Sequence, residues 1–106
     1  MSLHQLNPQV LSNMLLANAK VRNHSPQFFN KVANYMMRLD NLSKYTPQNL
    51  ANILWAYAKI GHPSPQLFNK VANHIVVHDN LNTYKPQELA NILWAYAKVG
   101  HPSPQL

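Results

Sequence analysis

Apolar residues along this chain fall into two kinds of helical block. From Pro47, the residues Leu50, Ile53, Leu54, Tyr57, Ala58 and Ile60 keep the three-and-four spacing of one helix face, and Gly61 stops the pattern. A second block, Phe68, Val71, Ala72, Ile75 and Val76, follows after Ser64-Pro65. Period-two alternation is absent, which argues against strands. Each block opens with a short polar residue before a proline, where the missing N–H of the proline costs nothing at a helix start. Asn7-Pro8 and Thr46-Pro47 start first helices; Ser25-Pro26, Ser64-Pro65 and Ser103-Pro104 start second helices.

The pattern repeats. Pro47 to Leu67 returns as Pro86 to Leu106 with only Asn49→Glu and Ile60→Val changed, a spacing of 39 residues, and a looser copy runs from Pro8 to Phe28. The blocks Phe29 to Asn34 and Phe68 to Asn73 are identical, as are Asp40-Asn41-Leu42 and Asp79-Asn80-Leu81. A fixed period of this length means stacked helix pairs. The expectation is an all-α fold: an α-solenoid of antiparallel helix pairs with units 8–46, 47–85 and an incomplete 86–106. First helices are expected at Pro8–Val21, Pro47–Ile60 and Pro86–Val99, and the inter-unit Leu with Tyr45 or Tyr84 is expected to tuck into the stack. Residues 3–8 align with 42–47 and 81–86, so residues 1–106 read as one helical-repeat segment of a longer array.

Composition adds charge. Nine Lys+Arg stand against three acids, Asp40, Asp79 and Glu88, for a net charge of +6. That balance suits a polyanionic partner. The lack of Cys removes disulfides and thiol chemistry and fits a reducing intracellular compartment without requiring one. No apolar run approaches a membrane span.

The motif Leu50-Ala51-Asn52-Ile53-Leu54-Trp55-Ala56-Tyr57-Ala58-Lys59-Ile60-Gly61-His62 after Pro47-Gln48, with a second helix opened by Pro65-Gln66-Leu67, resembles the octotricopeptide repeat, whose units run to about 38 residues. The shorter tetratricopeptide and pentatricopeptide periods fit less well. The resemblance is strong in the second and third units and weaker in the first, where Leu16 replaces Trp, Asn18 replaces Tyr and Arg22-Asn23 replaces Gly-His. It implies an RNA-binding protein acting on organellar transcripts. Related arrays in host-associated bacteria leave partner and compartment open.

The chemistry can be read separately. On a wheel of the first helix, Gln48, Asn52, Trp55 and Lys59 share an arc of about 60°, opposite the apolar stripe. Their counterparts are Gln9, Asn13, Leu16, Lys20 and Gln87, Asn91, Trp94, Lys98. If first helices line the concave side, this arc becomes a groove floor on which Lys neutralises phosphate, Trp stacks on a base and Asn bonds base edges of single-stranded RNA. Blander readings stand beside each: Trp55 and Trp94 packing between neighbouring helices, the unvarying Asn13, Asn52, Asn91 row bonding the adjacent unit's backbone, and the lysines complementing the helix dipole. The slot of Val10, Asn49 and Glu88 changes chemistry in every unit. Placed on the groove rim, Asn49 and Glu88 become candidates for base choice, or else third residues of a capping box.

His74 and His78 have ligand spacing, but no acid or Cys joins them on that helix, so no metal site is expected. His62 and His101 read as loop residues filling the helix cap. Without a carboxylate pair, a glycine-rich phosphate loop or a nucleophile with a base, no catalytic role and no cofactor are expected. A protein scaffold holding a peptide or partner helix in the same groove is the alternative to RNA. The uncovered Leu89, Ile92, Leu93 and Tyr96 point to self-association through the C-terminal end.

Overall fold

The computed structural model describes residues 6–21, 24–62, 64–78 and 81–100. Among these, five α-helices follow in order: α1 (Pro8–Lys20), α2 (Pro26–Arg38), α3 (Pro47–Ile60), α4 (Pro65–Val77) and α5 (Pro86–Val99), with one 3-10 turn at Leu81–Thr83 and no strand. The fold is all-α, a small helical-repeat arrangement in which α1, α3 and α5 form one layer and α2 and α4 the other.

Every helix starts at its proline. Asn7 accepts from the Val10 N–H at 2.8 Å, Ser25 from Phe28 at 3.3 Å and Thr46 from Asn49 at 3.1 Å. The device is not uniform, because Ser64 makes no such bond. At α5 the cap residue is Lys85, which cannot accept; Glu88 instead takes the Lys85 backbone N–H at 2.8 Å. Ser103-Pro104 and His101 lie outside the described residues.

The long first helices end on glycine for a backbone reason. Gly61 and Gly100 sit at φ 68° and 66°, the left-handed region that a side chain disfavours. The Gly61 N–H reaches Ala58 O and the His62 N–H reaches Tyr57 O, both at 3.1 Å, which closes the helix end. The first unit has Val21 at the cap in extended backbone, and α1 ends at Lys20, one residue short of the expected Val21.

First helices pack closely side by side, whereas α2 and α4 approach each other far less. Residue size explains this. The contact faces of the first layer are lined by Ser12, Ala19, Ala51, Ala56, Ala58 and Ala95, all buried, which lets backbones draw near. The second layer fills its core side with Phe29, Val32, Met36, Phe68, Val71 and Ile75, which hold the helices apart. The first helices are thus the more closely packed of the two layers. Leu42, Tyr45 and Tyr84 are buried from the inter-unit turns; Asp79 and Asn80 lie outside the described residues. Burial pushes the Tyr45 phenol up to about 12, with Tyr35 adding to the rise.

Two positions differ from the expected apolar stripe of the second helices. Met37 and Val76, which occupy the same place in α2 and α4, are exposed. The buried arc is rotated the other way and takes in Leu67 and His74 of α4.

Candidate nucleic-acid interface

Successive units are joined by bonds that recur at the repeat spacing. The Tyr57 hydroxyl donates to Phe29 O at 2.6 Å, and the Tyr96 hydroxyl donates to Phe68 O at the same 2.6 Å. Each phenol also meets the phenylalanine ring edge-on, at 4.8 Å for Phe29 and 5.0 Å for Phe68. Burial drives both phenols well above the ordinary tyrosine value. The Lys70 ammonium donates to Met36 O at 2.7 Å, to Met37 O at 3.3 Å and to Leu39 O, so α4 caps the C-terminal carbonyls of α2. Burial pulls the Lys70 pKa below the lysine norm, and the Asp40 carboxylate opposes that shift. His62, expected to fill its own helix cap, instead places Nε2 at 2.9 Å from Asn30 Oδ1 of the preceding unit. Its pKa is lowered by burial first and by His24 second.

These bonds set one unit's first helix beside the next, and the indoles at equivalent positions of α3 and α5 meet. Gln9, Gln48 and Gln87 are exposed; Asn13 is exposed, with Asn52 and Asn91 half-buried; Lys20, Lys59 and Lys98 are exposed in the last helical turns. The Trp55 and Trp94 rings stack with centroids 6.1 Å apart and planes at 29°. Trp55 is half-buried in this pair, while Trp94 keeps 41% of its surface open. Leu16 completes the row on α1, half-buried.

Three expectations about this face need correction. Asn49 is not on a groove rim: it is 2% exposed. Its side chain accepts from the Thr46 N–H at 3.1 Å and donates to Gln9 Oε1 at 3.1 Å and Ser12 Oγ at 3.3 Å, so it closes the capping box and ties α3 to α1. Glu88 uses its carboxylate on its own helix start and is half-buried. The asparagine row does not bond a neighbour's backbone where its bonds are seen. Asn13 accepts from Gln9 and Asn91 from Gln87, each at 3.3 Å within its own helix.

The clefts lie elsewhere. One of about 500 Å³ runs between Leu6, Tyr35, Leu39, Asp40, Lys44 and Tyr45. A smaller one, about 190 Å³, is lined by Asp40, Lys70, His74 and His78. The two imidazoles there are 5.3 Å apart, and the Lys70 side chain lines the same cleft. Among the described residues no group of three or more His, Cys, Asp or Glu could hold a metal, and no helix is long and apolar enough to cross a membrane.

Sequence reading did not find Lys70, the Tyr57 and Tyr96 hydroxyls, or the Ser12–Asn49 pair. A signal existed for the first two: tyrosine, not phenylalanine, recurs in a stripe that is otherwise aliphatic, and one lysine recurs inside the repeated Phe-Asn-Lys-Val-Ala-Asn block. The fold is that of a basic helical-repeat protein whose first helices expose Gln and Lys at the repeat spacing. Compared with known proteins, the chain matches no family model, no curated protein and no solved structure.

Proposed function

We propose that this chain is a non-catalytic, single-stranded RNA-binding module of the octotricopeptide type, holding RNA along the layer of first helices. The observation that carries the proposal is the register of Lys20, Lys59 and Lys98, one exposed ammonium per unit on a face that also presents amides and an open indole. Of the two acids among the described residues, Asp40 sits in an inter-unit turn and Glu88 is engaged at its helix start. The row positions themselves carry no acid.

Roles within the row differ from unit to unit. The lysines meet phosphates, at about one nucleotide per unit as in other helical-repeat readers. Gln48, with no Gln–Asn bond of the kind seen in the flanking units, and the half-buried Asn52 offer amides to base edges. Trp94 supplies the stacking surface; Trp55 already stacks on Trp94 and serves chiefly to hold that ring in place. Asn49 does not select a base, since its amide is spent inside the protein. The resemblance in residues 47–62 and 86–100 supports the same reading.

Titrating a mixed-sequence single-stranded RNA pool at several salt concentrations tests it. Affinity should fall as salt rises, and each of Lys59→Ala and Lys98→Ala should lower the slope of log K against log salt by about 0.7, the value for one phosphate contact on a single strand. Trp94→Ala should weaken binding by about 1 to 3 kcal/mol with the slope unchanged. Absence of RNA binding at low salt, together with capture of a peptide by the same face, would transfer the site to a protein scaffold.

A further inference from the structure

We propose that copies of this chain join head to tail, the open face of α5 on one copy receiving the open face of α1 on the next. The proposal stands apart from the RNA reading, because it uses the flanks of the first-helix layer and not its polar edge.

Its basis is that α3 and α5 carry nearly the same sequence in different surroundings. In α3, Leu50, Ala51, Leu54 and Ala58 are buried, and what covers that flank is α5. The same flank of α5, Leu89, Ala90, Leu93 and Ala97, is half-buried or exposed, whereas Ile92 and Tyr96, expected to be uncovered with Leu89 and Leu93, are buried. The opposite flank of α3, which meets α1, holds Asn49, Ile53, Ala56 and Ile60; its counterparts on α1, Val10, Met14, Ala17 and Val21, are exposed. The two open flanks are thus the two halves of a junction that the chain already makes twice.

Pairing across the junction selects the occupant. Between α1 and α3, Ser12 faces Asn49 and both are buried, polar and bonded to each other at 3.3 Å. At the corresponding place of a junction between copies, Ala90 meets Val10, apolar on both sides, so no buried polar group is left unmatched. Different flanks meet, so the contact is heterologous and does not stop at two chains. One helix pair falls short of the roughly 800 Å² per partner of a standard interface, which places association in the range of about 10 μM to 1 mM.

Sedimentation of the whole chain, free of nucleic acid, reads this directly. The weight-average mass should start near 12.1 kDa and climb past twice that value as concentration rises through about 1 mM. Leu93→Glu and Met14→Glu each remove one flank and should each give monomers at the same concentration. An equimolar mixture of the two retains one good flank of each kind and should form a dimer that grows no further. Both side chains are exposed, so helicity by circular dichroism should be unchanged; Ala97→Arg and Val21→Glu repeat the test if either first variant misfolds. A wild-type mass constant at 12.1 kDa, or a Met14→Glu variant that still dimerises while Leu93→Glu does not, would overturn the proposal.

Discussion

Helices α3 and α5 share Leu-Ala-Asn-Ile-Leu-Trp-Ala-Tyr-Ala-Lys, yet they do not share an environment. Leu54 has no exposed surface, whereas Leu93, the same residue one period later, keeps 57% of its own. On the other side the two helices agree: Ile53 and Ile92, Ala56 and Ala95, Tyr57 and Tyr96 are all buried against the preceding unit. Burial in a repeat protein is therefore a property of neighbours, and stability is a sum of unit and junction contributions. The largest test of that statement is a pair of truncations. Leu54→Ala should cost about 2 to 5 kcal/mol in denaturant unfolding of the monomer, while Leu93→Ala should stay within about 0.5 kcal/mol. Equal costs for both would mean that α5 is covered as α3 is.

Lys70 and Lys31 extend the comparison to the second layer. Lys70 reaches the carbonyls at the end of α2, while Lys31, its counterpart in the identical block, is exposed with no earlier second helix in the described structure to cap. Replacing Lys70 with Met keeps most of the stem and removes the donor. The expected loss is about 1 to 2 kcal/mol, since a charged donor leaves helix-end carbonyls unsatisfied. Lys31→Met should change stability by no more than about 0.5 kcal/mol. A double-mutant comparison with Asp40→Asn separates the carbonyl cap from the ion attraction: little coupling is expected if the carbonyls dominate.

Much of the fold could be read from the chain because its punctuation is local. A proline fixes each helix start, and in α3 and α5 a glycine fixes the end, so all five described helices begin where their prolines predicted. The exposure of the Gln and Lys positions of the first helices was equally accessible, since a wheel places residues around one axis. The wheel's failures came from neighbours that a wheel does not contain. Asn49 lies at the edge of the polar arc in projection, but α1 sits against that edge and buries it with Gln9 and Ser12. Trp55 belongs to the arc, yet its ring is shared with Trp94 from the next unit. Val76 has an apolar side chain, and the rotation of α4 still leaves it in solvent while His74 turns inward. For Asn49 and Trp55 the decisive partner lies one unit away in sequence, about which periodicity within a single helix is silent.

The smallest effect tests the side on which the two helices agree. Tyr57→Phe and Tyr96→Phe each remove one hydroxyl that donates to a helix carbonyl at 2.6 Å, and each should cost about 1 kcal/mol. Here the two variants should match, in contrast to the leucine pair, because both phenols are buried against an equivalent phenylalanine. The same residues set an alkaline limit. Burial raises the pKa of Tyr57, Tyr96 and Tyr45 above the ordinary 10.0, so the folded state favours the neutral phenol. The unfolded chain therefore loses these protons at lower pH than the folded one does, and their contribution is complete below pH 10.0 and declines as pH rises above it. Urea midpoints measured from pH 8 to 11 should fall beyond about pH 10, and the fall should shrink in either phenylalanine variant by a similar amount. A fall that shrinks only with Tyr57→Phe would show that the junction formed by α5 opens before the one formed by α3, and that the last unit frays independently of the rest.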